Sequence, residues 1–587
     1  MSGHDSGFAK PIDTSQSQRL EWRSSDTHFT QRGSMSHKTN KDKSTSGIKR
    51  RQFLKQSALA SAVVVTSRDL SRAAEPVSLS RTTSRPFELE ELSISNLSEG
   101  LKSGRFTARS ITEMYLTRIN EVDKSGPAVN SVIEINPDAL AIADALDKER
   151  KEKGPRGPLH GVPILIKDNI DTGDKMKTSA GSLALAESIA SRDSFVAQRL
   201  RQAGAVILGK TNLSEWANIR SNHSTSGWSG RGGQTRNPYV LDRNPCGSSS
   251  GSGAAVAANL CAAAIGTETD GSIVCPSSAN GLVGIKPTVG LVSRSGIIPI
   301  SHSQDGAGPM TRSVEDAAIL LSALTGVDPR DSYTKQSQGK THPDYSKFLD
   351  ANGLKGARIG VARKFFGFSD RVDKLMADAI DAIKRAGAEI IDPADIPTHG
   401  KFDDSEGEVL LFELKTDLNE YLKGLGPNAP VHSLKEVIEF NERNRDKEMP
   451  YFGQDQFIKA EAKGPLTSKA YLAALAKNHR MSRTQGIDAI MNKHRLDAIL
   501  GPTGGPAWPT DWINGDHFGG GCSTPPAVAG YPNINVPAGH VFGLPVGISF
   551  FGRAWSEPTL IKLAYAFEQA TKHRKPPQFL ATADLHS

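Results

Sequence analysis

Only four cysteines and 6% aromatic residues occur among the 587 residues. Cysteines at 246, 261, 275 and 522 are too few and too irregularly spaced for a disulfide framework or a Cys-x-x-Cys metal site. They read as small buried apolar residues, with a reactive thiol as the alternative for Cys246 and Cys275, which border serines discussed below. No metal or other cofactor is expected. Net charge is scarce as well: the formal +7 resides entirely in residues 1–74, which carry 13 Lys/Arg against 6 Asp/Glu, so the remainder is balanced. That balance removes the main compositional argument for nucleic-acid binding. Histidine is missing beside either of two serines in small-residue loops, Ser248 and Ser272. A base for them must come from elsewhere, and Lys167 is the candidate.

What is present is enough apolar material, 37%, for a large core, with 55 glycines and 33 prolines for many tight connections. Residues 1–48 form a polar Ser/Thr/His/Lys-rich extension without apolar periodicity, expected to be disordered. Residues 49–74, opening on Lys49-Arg50-Arg51-Gln52-Phe53-Leu54-Lys55 and closing on Ala73-Ala74, resemble a twin-arginine signal peptide. The stretch Ala58 to Thr66 is far shorter than the ~20 residues a spanning helix needs, so stable membrane insertion is not expected. The expectation is transient contact with the twin-arginine export machinery and a periplasmic or secreted protein; a leader without an export role would leave it cytoplasmic.

From about Phe87 helix and strand signals alternate. Ser110-x-x-Glu113 has the form of a capping box opening a helix with Ile111, Met114, Tyr115, Ile119 and Val122 at helical spacing. Residues 130–136 read as a strand, 137–153 as a helix, 194–203 as a helix before the strand 205–208, and 372–386 as a helix before the strand 388–391. Repeated αβ units predict an α/β fold, a large sheet covered by helices on both faces, as one domain over 75–587. Residues 221–253 read as a long loop, followed by a small-residue helix over 254–264.

Three segments carry chemistry. Lys167 ends the apolar run Gly161-Val162-Pro163-Ile164-Leu165-Ile166, which can bury it and so favour its neutral form. Ser248 lies in Cys246-Gly247-Ser248-Ser249-Ser250-Gly251-Ser252-Gly253. Ser272 lies 24 residues later in Gly266-Thr267-Glu268-Thr269-Asp270-Gly271-Ser272-Ile273-Val274-Cys275-Pro276, where small residues let successive N–H groups converge. A rival pattern, Gly204 to Thr211, satisfies the formal phosphate-loop spacing of an NTPase, but its middle residues Ala205 to Leu208 are apolar and read as the strand itself.

Taken in order, these segments resemble the amidase signature family, as do Gly281 to Thr288, Gly308-Pro309-Met310, Gly530-Tyr531-Pro532 and Gly543 to Gly547. The similarity covers about residues 87–577, and the wording around Ser248 and Ser272 is closest to bacterial peptide amidases. The resemblance implies that the sheet is mixed and twisted within a single catalytic domain, and it implies a Ser-Ser-Lys triad: Ser272 as nucleophile, Ser248 as a bridging serine in a cis peptide, Lys167 as terminal base. Backbone N–H groups of Thr269, Asp270, Gly271 and Ser272 would form the oxyanion hole. It also implies a small amide or amidated peptide as substrate, with ammonia released; a broad aryl or alkyl amidase and a non-catalytic exported binding protein are the alternatives. Departures are Asp270-Gly271 where many members have paired glycines, Val274 where many have arginine, and Ser250 and Ser252 in the serine loop. The missing arginine weakens an assignment as a component of a glutaminyl-tRNA amidotransferase.

Overall fold

Apolar runs that do not alternate with polar residues become central strands, because both of their faces are covered. In the computed structural model, which describes residues 87–585, β2 (Pro163–Lys167), β3 (Val206–Thr211), β6 (Ala263–Glu268) and β8 (Gly306–Thr311) are buried at every position. The same holds for β13 (Leu544–Phe551), the partner of β12 (Asn533–Val541).

The others are β1 (Val132–Ile135), β7 (Val283–Lys286), β9 (Arg358–Val361), β10 (Glu389–Ile391) and β11 (Ala498–Pro502), while β4 (Trp228–Ser229) and β5 (Gly233–Gln234) make a separate hairpin. The eleven strands of the main sheet run β1-β3-β2-β6-β8-β7-β12-β13-β11-β9-β10. Parallel pairs (β2 with β3 and β6, β9 with β10 and β11) mix with antiparallel ones. This is the mixed α/β sheet expected from the sequence.

Several local expectations shift. The first long helix is Ala108–Arg118 and its cap is Thr107: Ser110 N donates to Thr107 Oγ1 and Thr107 N to Ser110 Oγ, both at 3.0 Å. Ser110 is therefore the third residue of the helix, not its cap. The supposed helix 254–264 is divided, with a helix over Ser250–Ala257 and β6 from Ala263. Alanine favours helix, and here pairing with β2 and β8 overrides that preference. Likewise the strand around Ala205 extends through Thr211, so the phosphate-loop pattern is the strand itself. Lys210 is buried there and donates to Ile170 O at 2.6 Å and Thr178 Oγ1 at 3.0 Å. The leader, 49–74, lies outside the described residues.

One apolar core runs beneath the sheet helices, from Leu89 to Phe579. A smaller cluster seats the helix Asp403–Gly424 through Leu414, Leu418 and Leu422 against Trp216 and Ile298, which brings that helix to the edge of the site.

Candidate active site

Lys167 is the last residue of β2, and the burial that its apolar predecessors demand also removes its own amine from water: it is 0% exposed. Its Nζ donates to Ser248 Oγ and Thr267 Oγ1, both at 2.8 Å, and lies 3.3 Å from Thr267 O. Asn169 Nδ2 donates to the same Thr267 hydroxyl at 3.0 Å, holding it toward the amine. Burial disfavours the ammonium and brings the Lys167 pKa down to about 7, against the opposing charges of Asp305 and Glu268.

Ser248 is buried and follows a cis Gly247–Ser248 peptide. A Cβ at Gly247 would come within 2.2 Å of Ser214 Oγ, which would have to move. Ser250 and Ser252, the departures in this loop, have structural work: Ser250 Oγ donates to Cys246 O at 2.6 Å and Ser252 Oγ to Ile265 O at 3.0 Å. Ser249 N donates to the Ser272 carbonyl at 3.2 Å, which joins the two loops. The Ser272 hydroxyl itself has no protein partner among the described residues. Of the two links in a Lys167–Ser248–Ser272 relay, the first is thus formed and the second open; catalytic hydrogen bonds often tighten only when substrate is bound.

Before Ser272 the backbone turns sharply, with Gly271 at φ +77°. Glu268 Oε2 accepts from Ile273 N at 2.7 Å and Val274 N at 2.9 Å, satisfying the N–H groups just past the serine. Among the described residues, the N–H groups of Thr269, Asp270, Gly271 and Ser272 have no protein acceptor. Four open N–H groups in succession beside a hollow can take an acceptor from outside the chain. Thr269 Oγ1 donates to Asp305 Oδ1 at 2.6 Å, and Asp270 Oδ2 accepts from Thr524 Oγ1 at 2.7 Å.

The reading of Cys246 and Cys275 as separate small residues is corrected: they form a disulfide, with Cα atoms 6.0 Å apart. Spacing along the chain did not suggest it because the serine loop and the helix Val274–Ala279 meet only in the tertiary fold. The bond closes a 29-residue separation around both serines, for which chain entropy suggests about 3–4 kcal/mol of stabilisation. Reduction is expected to lower the unfolding free energy by about that much, read as a shift in denaturation midpoint with and without dithiothreitol.

Two hollows flank the Ser272 loop. One of about 270 Å³ is walled by Asn169, Thr267, Thr269, Ile298, Asp305 and Tyr421. Another of about 420 Å³ is walled by Gly247, Asp270, Gly271, the disulfide, Trp508 and Phe518. Thr267, Glu268 and Asp305 were missed as site residues; the first two stood within the glycine-rich loop, but only the fold turns them inward.

The sequence profile of the amidase family matches residues 110–561. A probable amidase of Arabidopsis thaliana is 45% identical over 85% of this chain and 93% of its own length. A glutamyl-tRNA(Gln) amidotransferase component from Thermoanaerobacter pseudethanolicus is 35% identical, over 85% of this chain and all of its own. Among solved structures, the native peptide amidase of Stenotrophomonas maltophilia is 48% identical with a TM-score of 0.80, covering 84% of this chain and 100% of that one. With that extent of match around a buried amine, two serines and four open N–H groups, the chain belongs to the amidase family and is an amide-hydrolysing enzyme.

Proposed function

We propose that the enzyme cleaves the carboxy-terminal amide of peptides through a Ser272–Ser248–Lys167 triad. Neutral Lys167 takes the Ser248 proton while Ser248 takes that of Ser272, and the Ser272 oxygen attacks the amide carbon. The oxyanion is received by N–H groups of Thr269 to Ser272, where one well-placed donor is worth about 3 kcal/mol. Ammonia leaves with the proton returned along the relay, and water hydrolyses the acyl-enzyme. The observation that carries this reading is the wholly buried Lys167 amine 2.8 Å from Ser248 Oγ, with its charged form disfavoured.

For the substrate, support comes from the likeness to the Stenotrophomonas maltophilia peptide amidase. The amidotransferase relative is the less apt guide, since buried Val274 replaces the arginine expected there. Incubated with amidated peptides, free amino-acid amides and aryl amides, the purified chain is expected to release ammonia from the peptides with a kcat/KM at least about tenfold above the rest, a ~1.4 kcal/mol preference. Equal rates on all three would replace this reading by a broad aryl or alkyl amidase.

The same proposal extends to location. Residues 49–74 direct twin-arginine export ahead of a catalytic domain over 75–587, and the Cys246–Cys275 disulfide fits an oxidising compartment. Fractionation that finds mature protein only in the cytoplasm would reject it.

A further inference from the structure

The Ser272 loop is held at its first residue by a segment distant in sequence. Thr269 gives its hydroxyl to Asp305, and its carbonyl lies 3.5 Å from Gln304 Nε2. Both partners belong to residues 301–305, immediately before β8. Much of that segment's side-chain bonding goes to one helix, Asp403–Gly424. Glu413 Oε2 accepts from Ser301 Oγ at 2.5 Å, Ser303 N at 3.1 Å and Ser303 Oγ at 2.9 Å, while Glu413 Oε1 accepts from Tyr471 OH at 2.6 Å. Asp417 Oδ2 accepts from His302 N at 3.0 Å and faces His302 Nδ1 at 2.8 Å. Gln304 Nε2 reaches Glu406 Oε1 at 2.9 Å.

Glu406, Glu413 and Asp417 are seven and four residues apart, which sets them along one side of the helix. Glu413 is 0% exposed. A carboxylate in that position carries a desolvation cost that a leucine would not, so its four hydrogen-bond donors and the His302 ring are what keep it there.

We propose that the Asp403–Gly424 helix positions the oxyanion hole, with Glu413 and His302 locking residues 301–305 so that Asp305 and Gln304 aim the Thr269 to Ser272 amides. This rests on the triad and oxyanion assignment above. None of these side chains is a catalytic residue; they act through the segment they hold.

The lock is charge-dependent. His302 faces Asp417 and Glu413 from the helix, Tyr471 from Lys469–His479, Tyr333 from Ser332–Ser337, and Arg294, whose guanidinium donates to the His302 carbonyl and pairs with Asp331. Burial opposes the imidazolium, yet the Asp417 hydrogen bond and the charges of Glu413 and Asp417 outweigh it and raise the pKa above the usual 6.5. The lock is therefore tight at lower pH and slackens as pH rises through that raised value.

The test is steady-state kinetics on one hydrolysed amide, from acid to alkaline pH, for wild type and the Glu413→Gln, Glu413→Ala, His302→Gln and Ser272→Ala variants, each with a thermal melt. Glu413→Ala is expected to lose about 10²-fold in kcat, the usual consequence of a misplaced catalytic group, with KM changed less than about twofold. Glu413→Gln keeps an acceptor but lacks the charge, so it should lose less and move the alkaline limb of kcat to lower pH. His302→Gln should abolish that limb. If Glu413→Ala does not fold, the Gln variants decide. Folded variants with the wild-type kcat and pH profile overturn the proposal, as does a loss that appears in KM alone. An active Ser272→Ala would instead sink the triad assignment, whatever the Glu413 variants do.

Discussion

Ser272→Ala is expected to reduce amide hydrolysis on the order of 10⁴- to 10⁶-fold, as removal of a nucleophilic serine does when base and nucleophile act as a unit. Labelling by a fluorophosphonate probe should vanish with it. The variant should stay folded: the Ser272 hydroxyl has no protein partner among the described residues, and only its carbonyl holds the neighbouring loop, through Ser249 N at 3.2 Å. A melting temperature close to wild type would show that lost turnover is lost chemistry. Cys246 does not supply a substitute nucleophile, because its sulfur is bound to that of Cys275. Undiminished labelling of the Ser272→Ala protein would place the nucleophile elsewhere and reject the assignment.

Lys167→Met should have the second-largest effect, a loss on the order of 10³-fold or more in kcat, because the substituted side chain fills the volume but accepts no proton. The pH dependence gives an independent reading of the same amine. With its pKa at about 7, Lys167 is protonated below that pH and cannot act as a base. For wild type, kcat/KM should fall about tenfold per pH unit on the acid side of that value, a limb separate from the alkaline one set by His302. The folding equilibrium carries the matching sign. A lysine whose pKa drops from 10.5 to about 7 on folding is bound to a proton in the unfolded chain but not in the folded one between those values. Stability therefore rises with pH across that window, by up to ~1.4 kcal/mol per unit, and burying the amine costs stability below it. Lys167→Met is accordingly expected to match or exceed the wild-type melting temperature at pH 7. A variant with near wild-type turnover, or an acid limb that survives unchanged in it, would reject Lys167 as the base.

Much of this site can be read from the chain because its parts are local. The apolar run into Lys167 becomes β2, and the small residues around Ser248 and Ser272 become the turns they suggest. Among the described residues the N–H groups of Thr269 to Ser272 have no protein acceptor, and the oxyanion hole they would form stands as a proposal. Readings failed where two local patterns competed or where the deciding contact was remote. The helix start moved from Ser110 to Thr107, since two capping patterns overlapped in three residues and only the first could begin the helix. Residues 254–264 divided between helix and strand because pairing with β2 and β8 overrides the helix preference of alanine-rich sequence. The disulfide escaped notice because a 29-residue separation says nothing about where two loops meet.

The motifs along the chain by themselves determined the resemblance to the family, and through it the mixed sheet and the three side chains proposed for catalysis, because each motif occupies a few consecutive residues whose chemistry is independent of the rest. Only the tertiary structure decided which groups surround them. Thr267 and Asn169 are turned onto the Lys167 amine, Asp305 is placed under Thr269, and Glu413 arrives from a helix more than a hundred residues further along. The reason is physical: a pKa depends on the water removed by the whole fold, and a hydrogen bond on where remote segments come to rest.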